Sequence, residues 1–258
     1  MARQGYVNLL VAGQRRSREP GDSKEMVEAR RRWLATGRYD RVSNLVSHVV
    51  SRAAFAAAER IGGLPLILDV GCGEGYYTRR IAGADGPDVS VAGIDVSKPA
   101  VSRAAAAHGG GWYAVASAAD LPLADASVDV AVDIFGPVMA DELARVVRPG
   151  GTVVAVHPGS RHLGALRALV YAESRPHEVK DPLRAASAWF APAGSATATF
   201  PLMIDDADAL VDLFTMTPYR WHAPPDIEDR LRAAAGAGFE TEVDVVLTSY
   251  VRAPGPYT

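Results

Sequence analysis

Leu66-Ile67-Leu68-Asp69-Val70, followed without a break by Gly71-Cys72-Gly73-Glu74-Gly75-Tyr76-Tyr77, reads as a buried strand entering a glycine-rich turn and then a helix. Glycines permit tight backbone conformations and let a ligand approach the main chain closely. In open α/β sheets, ligands occupy the crevice beyond the carboxyl ends of the strands. The turn therefore marks a candidate ligand site as well as a fold class.

Outward from this stretch, short apolar runs alternate with helical segments. Runs at 66–70, 89–94, 112–116, 128–134 and 152–156 are separated by helical patterns at 76–82, 98–107 and 140–147. That spacing is the spacing of repeated βα units, which predicts a mostly parallel, doubly wound sheet. Gly150-Gly151 is expected to turn the chain into the fifth strand. Upstream, residues 1–22 read as an irregular basic arm. Asp22, three residues before Glu25, has capping-box spacing, and a helix is predicted from Ser23 to about Thr36. A second helix follows over 40–60, with Val42, Leu45, Val46, Val49 and Val50 on one side. Downstream, 161–195 is Ala-rich and helical in pattern, and is expected to be a lid or insertion. Alternation at 196–203 and 242–251 predicts two late strands, with helices near 205–214 and 226–237. The expected organisation is an N-terminal arm with helices over 1–60 and an α/β domain over 61–258.

The turn discriminates between cofactors. A dinucleotide fingerprint reads G-x-G-x-x-G, but here the third glycine arrives one position early and Tyr76 stands where that motif wants glycine. Glu74 would also set a carboxylate where a pyrophosphate has to sit, whereas the α-ammonium of a methionine moiety tolerates it. Asp95 closes the second strand, placed to accept from both ribose hydroxyls, a feature that dinucleotide enzymes share. Asp120-Leu121-Pro122-x-x-Asp125-x-Ser127-x-Asp129 resembles the adenine-side segment of class I methyltransferases, as does Arg148-Pro149-Gly150-Gly151 ahead of the fifth strand. Glycine loop, Asp95, adenine-side segment and the Gly150-Gly151 segment occur in this order, and together they point to S-adenosylmethionine. Asp69 either anchors the turn through backbone N–H groups or touches the ligand. Asp129 reads as structural. Cys72 reads as a small buried filler, with no feature nearby that would activate a thiol.

Bulk properties bound the rest. The chain has 258 residues, 48% hydrophobic and 22% charged, enough for one large domain. Its single cysteine excludes an internal disulfide framework and a Cys-rich zinc site within these residues, and fits a reducing, cytoplasmic setting. No run approaches the roughly 18 apolar residues of a membrane span. A formal charge of −3 gives no global pull towards nucleic acid, so any such site is a local patch.

Longer segments carry a more specific resemblance. Ala2-Arg3-Gln4-Gly5-Tyr6-Val7-Asn8-Leu9-Leu10 and Arg16-Ser17-Arg18-x-Pro20-Gly21-Asp22-Ser23-x-Glu25-Met26-x-x-Ala29-Arg30 are similar to the RlmA/TlrB family of large-subunit rRNA guanine-N1 methyltransferases. The likeness continues through Gly37-x-Tyr39, Asp69–Tyr77, Asp95-Val96-Ser97-Lys98 and Glu142–Gly151. It resumes at Pro158-Gly159-x-Arg161-His162-Leu163 and at Met216-Thr217-Pro218-x-x-Trp221. The resemblance implies a class I fold and methylation of N1 of a guanine in the loop of hairpin 35, which in some members contributes to macrolide resistance. It also implies a homodimer. By similarity, Tyr39, Gly73, Glu74, Asp95 and His162 contact S-adenosylmethionine, and the loop and adenine segments add Asp69, Gly71, Gly75, Asp120 and Leu121. Read from the residues alone, Tyr39 is a packing residue and His162 a helix-start or surface histidine.

The implied reaction is in-line transfer to a ring nitrogen that must lose its proton. Phe135, after the fourth strand, could stack on a flipped-out base or belong to the core. Asp133 is a candidate base, although family members carry non-acidic residues there. Arg15, Arg16, Arg18, Arg30, Arg31 and Arg32 either meet phosphates or form a solvated face. Family members begin with a four-ligand zinc ribbon that has no counterpart in this sequence. Either a ribbon lies upstream of Met1, or the chain is a paralogue acting on a small molecule; a non-catalytic cofactor-binding module is a third reading.

Overall fold

The computed structural model describes residues 2–10, 21–107, 111–171, 178–179 and 181–254. Arg15, Arg16 and Arg18 of the basic arm lie outside them. The strand that opens the central motif is β2 (Leu66–Val70), preceded by β1 (Val7–Asn8), α1 (Lys24–Ala35) and α2 (Asp40–Ile61). The βα units follow as α3 (Tyr76–Ala82), β3 (Ser90–Asp95), α4 (Lys98–Ala106), β4 (Trp112–Val115), β5 (Val128–Ile134), α5 (Ala140–Val146) and β6 (Val147–Pro158). The chain continues with α6 (Gly164–Val170), β7 (Phe190–Ile204), α7 (Ala207–Thr215), α8 (Ile227–Gly236) and β8 (Phe239–Arg252).

Among the described residues the strands form one sheet in the order β1-β4-β3-β2-β5-β6-β8-β7. Pairings from β1 to β6 are parallel, and β8 runs antiparallel to both β6 and β7. The sequence order therefore turns back at β2, which leads outward to β3 on one side and neighbours β5 on the other. This topological switch point is where doubly wound sheets open a ligand crevice. All seven residues of β5 are buried, as expected for a central strand covered on both faces.

The helices before the sheet share its core. Val42, Val46 and Val50 of α2 are buried in one cluster with Ile67, Val130, Val132 and Val154, one helical stripe meeting the apolar sheet face. On α1, Trp33 is fully buried, and Arg32 forks onto Asp212 of α7 at 2.8 and 2.5 Å. Asp129 is structural, as expected: it accepts the Leu66 N–H at 3.0 Å and pairs with Arg60 and Arg148.

Four expectations need correction. The N-terminal segment is not wholly irregular: Val7 and Asn8 pair with Ala114 and Val115 because Tyr6 is buried among Val101, Ala104 and Tyr113. The α1 cap is Ser23, whose side chain accepts from Met26 N, while Asp22 pairs with Arg30. Gly150-Gly151 lies inside β6, where the register against β5 shifts between Val128 and Val130. Within 161–195, helix is confined to α6 and a 3-10 turn at Arg184–Ala186, and β7 starts at Phe190. Pro192 and Gly194 disfavour helix there, and pairing with β8 along the whole of β7 decides the conformation.

Candidate functional site

At the carboxyl end of β2 the chain reverses sharply. Gly71, Gly73 and Gly75 have φ of +76, +57 and +80°, a left-handed geometry that side chains resist. The Gly71 and Cys72 N–H groups both donate to the Ile94 carbonyl, at 2.7 and 3.0 Å, which ties the turn to β3. Asp95, at the end of β3, then accepts from Gly73 N at 2.9 Å and Ser97 N at 2.7 Å, one on each oxygen. Each oxygen retains a further lone pair for a ligand. Burial holds the Asp95 carboxyl above its ordinary range, against these two N–H bonds.

This turn borders a cavity of about 1090 Å³. Of the residues expected at the cofactor, Tyr39, Gly71, Gly73, Glu74, Asp95, Asp120 and His162 line it, as do Phe135 and Gly136. Three others stand behind the lining. Gly75 caps α3. The Leu121 N–H donates to Glu142 at 2.7 Å. Asp69 is buried, with the Thr78 hydroxyl donating to its Oδ2 at 2.5 Å; burial lifts its carboxyl to about 7, Thr78 pulling the other way. Cys72 is buried and its thiol is pushed up by that burial, so it is not an activated nucleophile.

The other wall comes from residues that are distant in sequence. Asp22, Met26 and Arg30 reach in from the N-terminal side, and Met216, Thr217, Tyr219 and Trp221 from the segment after α7. Residue chemistry weighed only Arg30 among these, as a phosphate contact or part of a solvated face; the other signals were the family-like runs Asp22-Ser23-x-Glu25-Met26-x-x-Ala29-Arg30 and Met216-Thr217-Pro218-x-x-Trp221. At the mouth, Phe135 has φ +59° and stays 40% exposed. It stacks on His162, with centroids 5.8 Å apart and planes at 27°. His162 Nδ1 accepts from Asp244 N at 3.2 Å, which assigns the ring proton of the neutral imidazole to Nε2. Asp133 lies just behind: its Oδ1 accepts from Gly136 N at 2.9 Å, closing the turn that carries Phe135. Burial raises the Asp133 carboxyl to about 6.

The lining favours a cationic ligand. It presents Asp22, Glu74, Asp95 and Asp120 against one guanidinium, Arg30, among the described residues. A pyrophosphate would face a net excess of carboxylates there, whereas a sulfonium with an α-ammonium would be favoured by it. Glu74 is held by Arg79 at 3.1 Å. No group of three or more metal-ligating side chains occurs among the described residues, and no helix there is long and apolar enough to cross a membrane.

Comparison with known proteins gives consistent findings. A family model described as a methyltransferase domain matches residues 67–151. A 23S rRNA (guanine(748)-N(1))-methyltransferase of Streptomyces fradiae is 34% identical over 96% of this chain and 86% of its own length. A protein of Micromonospora griseorubida, whose name assigns it to the 23S rRNA (guanine-N1)-methyltransferases, is 36% identical over 98% of this chain and 85% of its own. Among solved structures, the YcgJ protein of Bacillus subtilis covers 74% of the chain and 93% of its own length at 16% identity, TM-score 0.55. The [4+2]-cyclase SpnF covers 80% and 81% at 20% identity, TM-score 0.50. These two likenesses concern the fold alone.

Proposed function

This chain belongs to the 23S rRNA (guanine-N1)-methyltransferase family and is an S-adenosylmethionine-dependent methyltransferase; from that premise we propose that its acceptor is N1 of a guanine in hairpin 35 of large-subunit rRNA. The observation that carries this reading is the continuity of one cavity from the Asp95 and Asp120 carboxylates to the aromatic mouth at Phe135 and Trp221. Cofactor-facing and base-facing groups thus share a single space, as transfer to a planar ring requires. Trp221 is 63% exposed, available to a base face.

When bound, S-adenosylmethionine supplies an electrophilic methyl carbon. Asp95 would orient the ribose, Tyr39, Glu74 and the glycine turn would hold the methionine end, and Asp120 would serve the adenine side. Phe135 and Trp221 offer aromatic faces on which the flipped guanine can stack, so positioning carries much of the rate. Bound S-adenosylmethionine would supply the methyl group that replaces the N1 proton, and that proton would pass to solvent. Asp133 serves positioning by fixing the Phe135 turn through Gly136, its contact with the backbone being the support for this role. The reading places the protein in the cytoplasm and makes it a homodimer, which sedimentation equilibrium checks.

The test is primer extension on large-subunit rRNA from a deletion strain with and without the reintroduced gene, because N1-methylguanine blocks pairing. A stop in hairpin 35 that depends on the gene is expected. If the stop pattern is the same in both strains, the hairpin 35 assignment fails.

A further inference from the structure

Arg30 is the one cation among the described residues that line the cavity, and the reaction as derived leaves it without a role. It stands on α1 with its side chain about a quarter exposed. Two partners hold it. One guanidinium nitrogen, Nη1, pairs with Asp22, and Nη2 donates to the Met216 carbonyl at 3.2 Å. Asp22 is itself anchored, its carbonyl accepting from the Ser97 hydroxyl at 2.7 Å. The same Nη1 lies 3.5 Å from where a Cβ on Gly73 would stand. A tethered guanidinium therefore overhangs the bare backbone of the glycine turn. Of its five N–H donors, these two partners engage two.

S-adenosylmethionine carries one carboxylate, at its methionine end, beside an ammonium and a sulfonium. Glu74 and the other acids of the lining suit the cationic groups and the hydroxyls, and Arg30 supplies the single opposite charge. We propose that Arg30 binds the cofactor carboxylate and is the residue by which this site distinguishes the intact amino-acid end from a decarboxylated one. Asp22 and the Met216 carbonyl fix the fork, so that little side-chain freedom is lost when it engages a ligand. The proposal rests on the S-adenosylmethionine assignment.

Isothermal titration calorimetry with S-adenosylmethionine and with decarboxylated S-adenosylmethionine tests it, since the second ligand keeps the sulfonium, amine, ribose and adenine. The native protein should prefer the intact ligand by about 10- to 100-fold, the range of one or two charge-assisted hydrogen bonds. Arg30→Met should bring the two affinities to within about threefold of each other. Asp22→Asn, which breaks the ion pair and keeps the guanidinium, should retain the preference. Should Arg30→Met not fold, Arg30→Lys, which loses the fork, should still lower the ratio severalfold. Equal weakening of both ligands in Arg30→Met, or an unchanged ratio in Arg30→Lys, would make Arg30 a brace for α1 and overturn the proposal. Equal affinities in the native protein would overturn it as well. A native protein that binds neither ligand would instead remove the cofactor assignment on which the proposal stands.

Discussion

Asp69→Asn isolates the electrostatic cost stored behind the glycine turn. The Asp69 carboxyl is buried, its Oδ2 takes the Thr78 hydroxyl, and its pKa is lifted from 3.8 to about 7, chiefly by burial. The folded chain therefore binds this proton more tightly than the unfolded chain does. Between these two values the native state holds a proton that the unfolded state has released, so stability falls as pH rises. The contribution is complete below about pH 4 and gone above about pH 7. At 1.36 kcal/mol per pH unit the whole range is on the order of 4 kcal/mol, and the part between pH 5 and 7 about 3 kcal/mol. Asn cannot ionise, and its carbonyl can still accept from Thr78. Its new N–H₂ needs a partner, at a pH-independent cost of about 1–3 kcal/mol. Asp133, raised to about 6 by burial, adds a decline of the same sign in both proteins, so the informative quantity is the difference between them. Urea unfolding of both at pH 5, 6, 7 and 8 measures it. The variant should gain on the native protein by about 3 kcal/mol from pH 5 to pH 8. A difference that stays constant within about 0.5 kcal/mol across that range refutes the reasoning, since such a result leaves no room for a strongly perturbed Asp69.

Three further outcomes are expected. Asp95→Asn keeps one acceptor oxygen and turns the other into a donor facing an N–H, so the S-adenosylmethionine Kd should rise about 10- to 100-fold; calorimetric values within threefold of native would count against the ribose role. Phe135→Ala should raise the KM for the RNA about tenfold through lost stacking, and Phe135→Gly should be about 1 kcal/mol more stable than Phe135→Ala, because glycine accepts φ +59° without strain. Equal unfolding midpoints for those two variants would contradict the strain argument. Asp129→Ala frees the Leu66 N–H and two arginines; with both arginines about one-third exposed, the loss should be about 2–3 kcal/mol, and a urea midpoint equal to native would show that this staple carries nothing.

The glycine turn, Asp95 and the βα alternation were legible because they are local. A strand-turn-helix with left-handed glycines is written into contiguous residues, and the early third glycine beside Glu74 selected a cationic cofactor over a dinucleotide. Boundaries failed where long-range pairing overrode local preference. Phe190-Ala191-Pro192-Ala193-Gly194-Ser195 sat in a stretch with a helical pattern, but β8 offered a partner along its whole length. Val7 and Asn8 joined the sheet because Tyr6 found a buried pocket.

By itself, then, the sequence determined the turn at 69–75, since three closely spaced glycines with Glu74 among them, ahead of a helix, are properties of neighbours along the chain. Only the tertiary structure decided who faces that turn across the cavity. Arg30, Met216 and Trp221 are separated from it by 39 residues or more in sequence, and they meet it because α1 packs on α7 through Arg32 and Asp212. Asp69, equally prominent in the motif, was withdrawn behind the turn by the Thr78 hydroxyl. Side-chain chemistry is local, but which side chains share one dielectric environment and one ligand is fixed by the packing of elements, and that packing has no local signature.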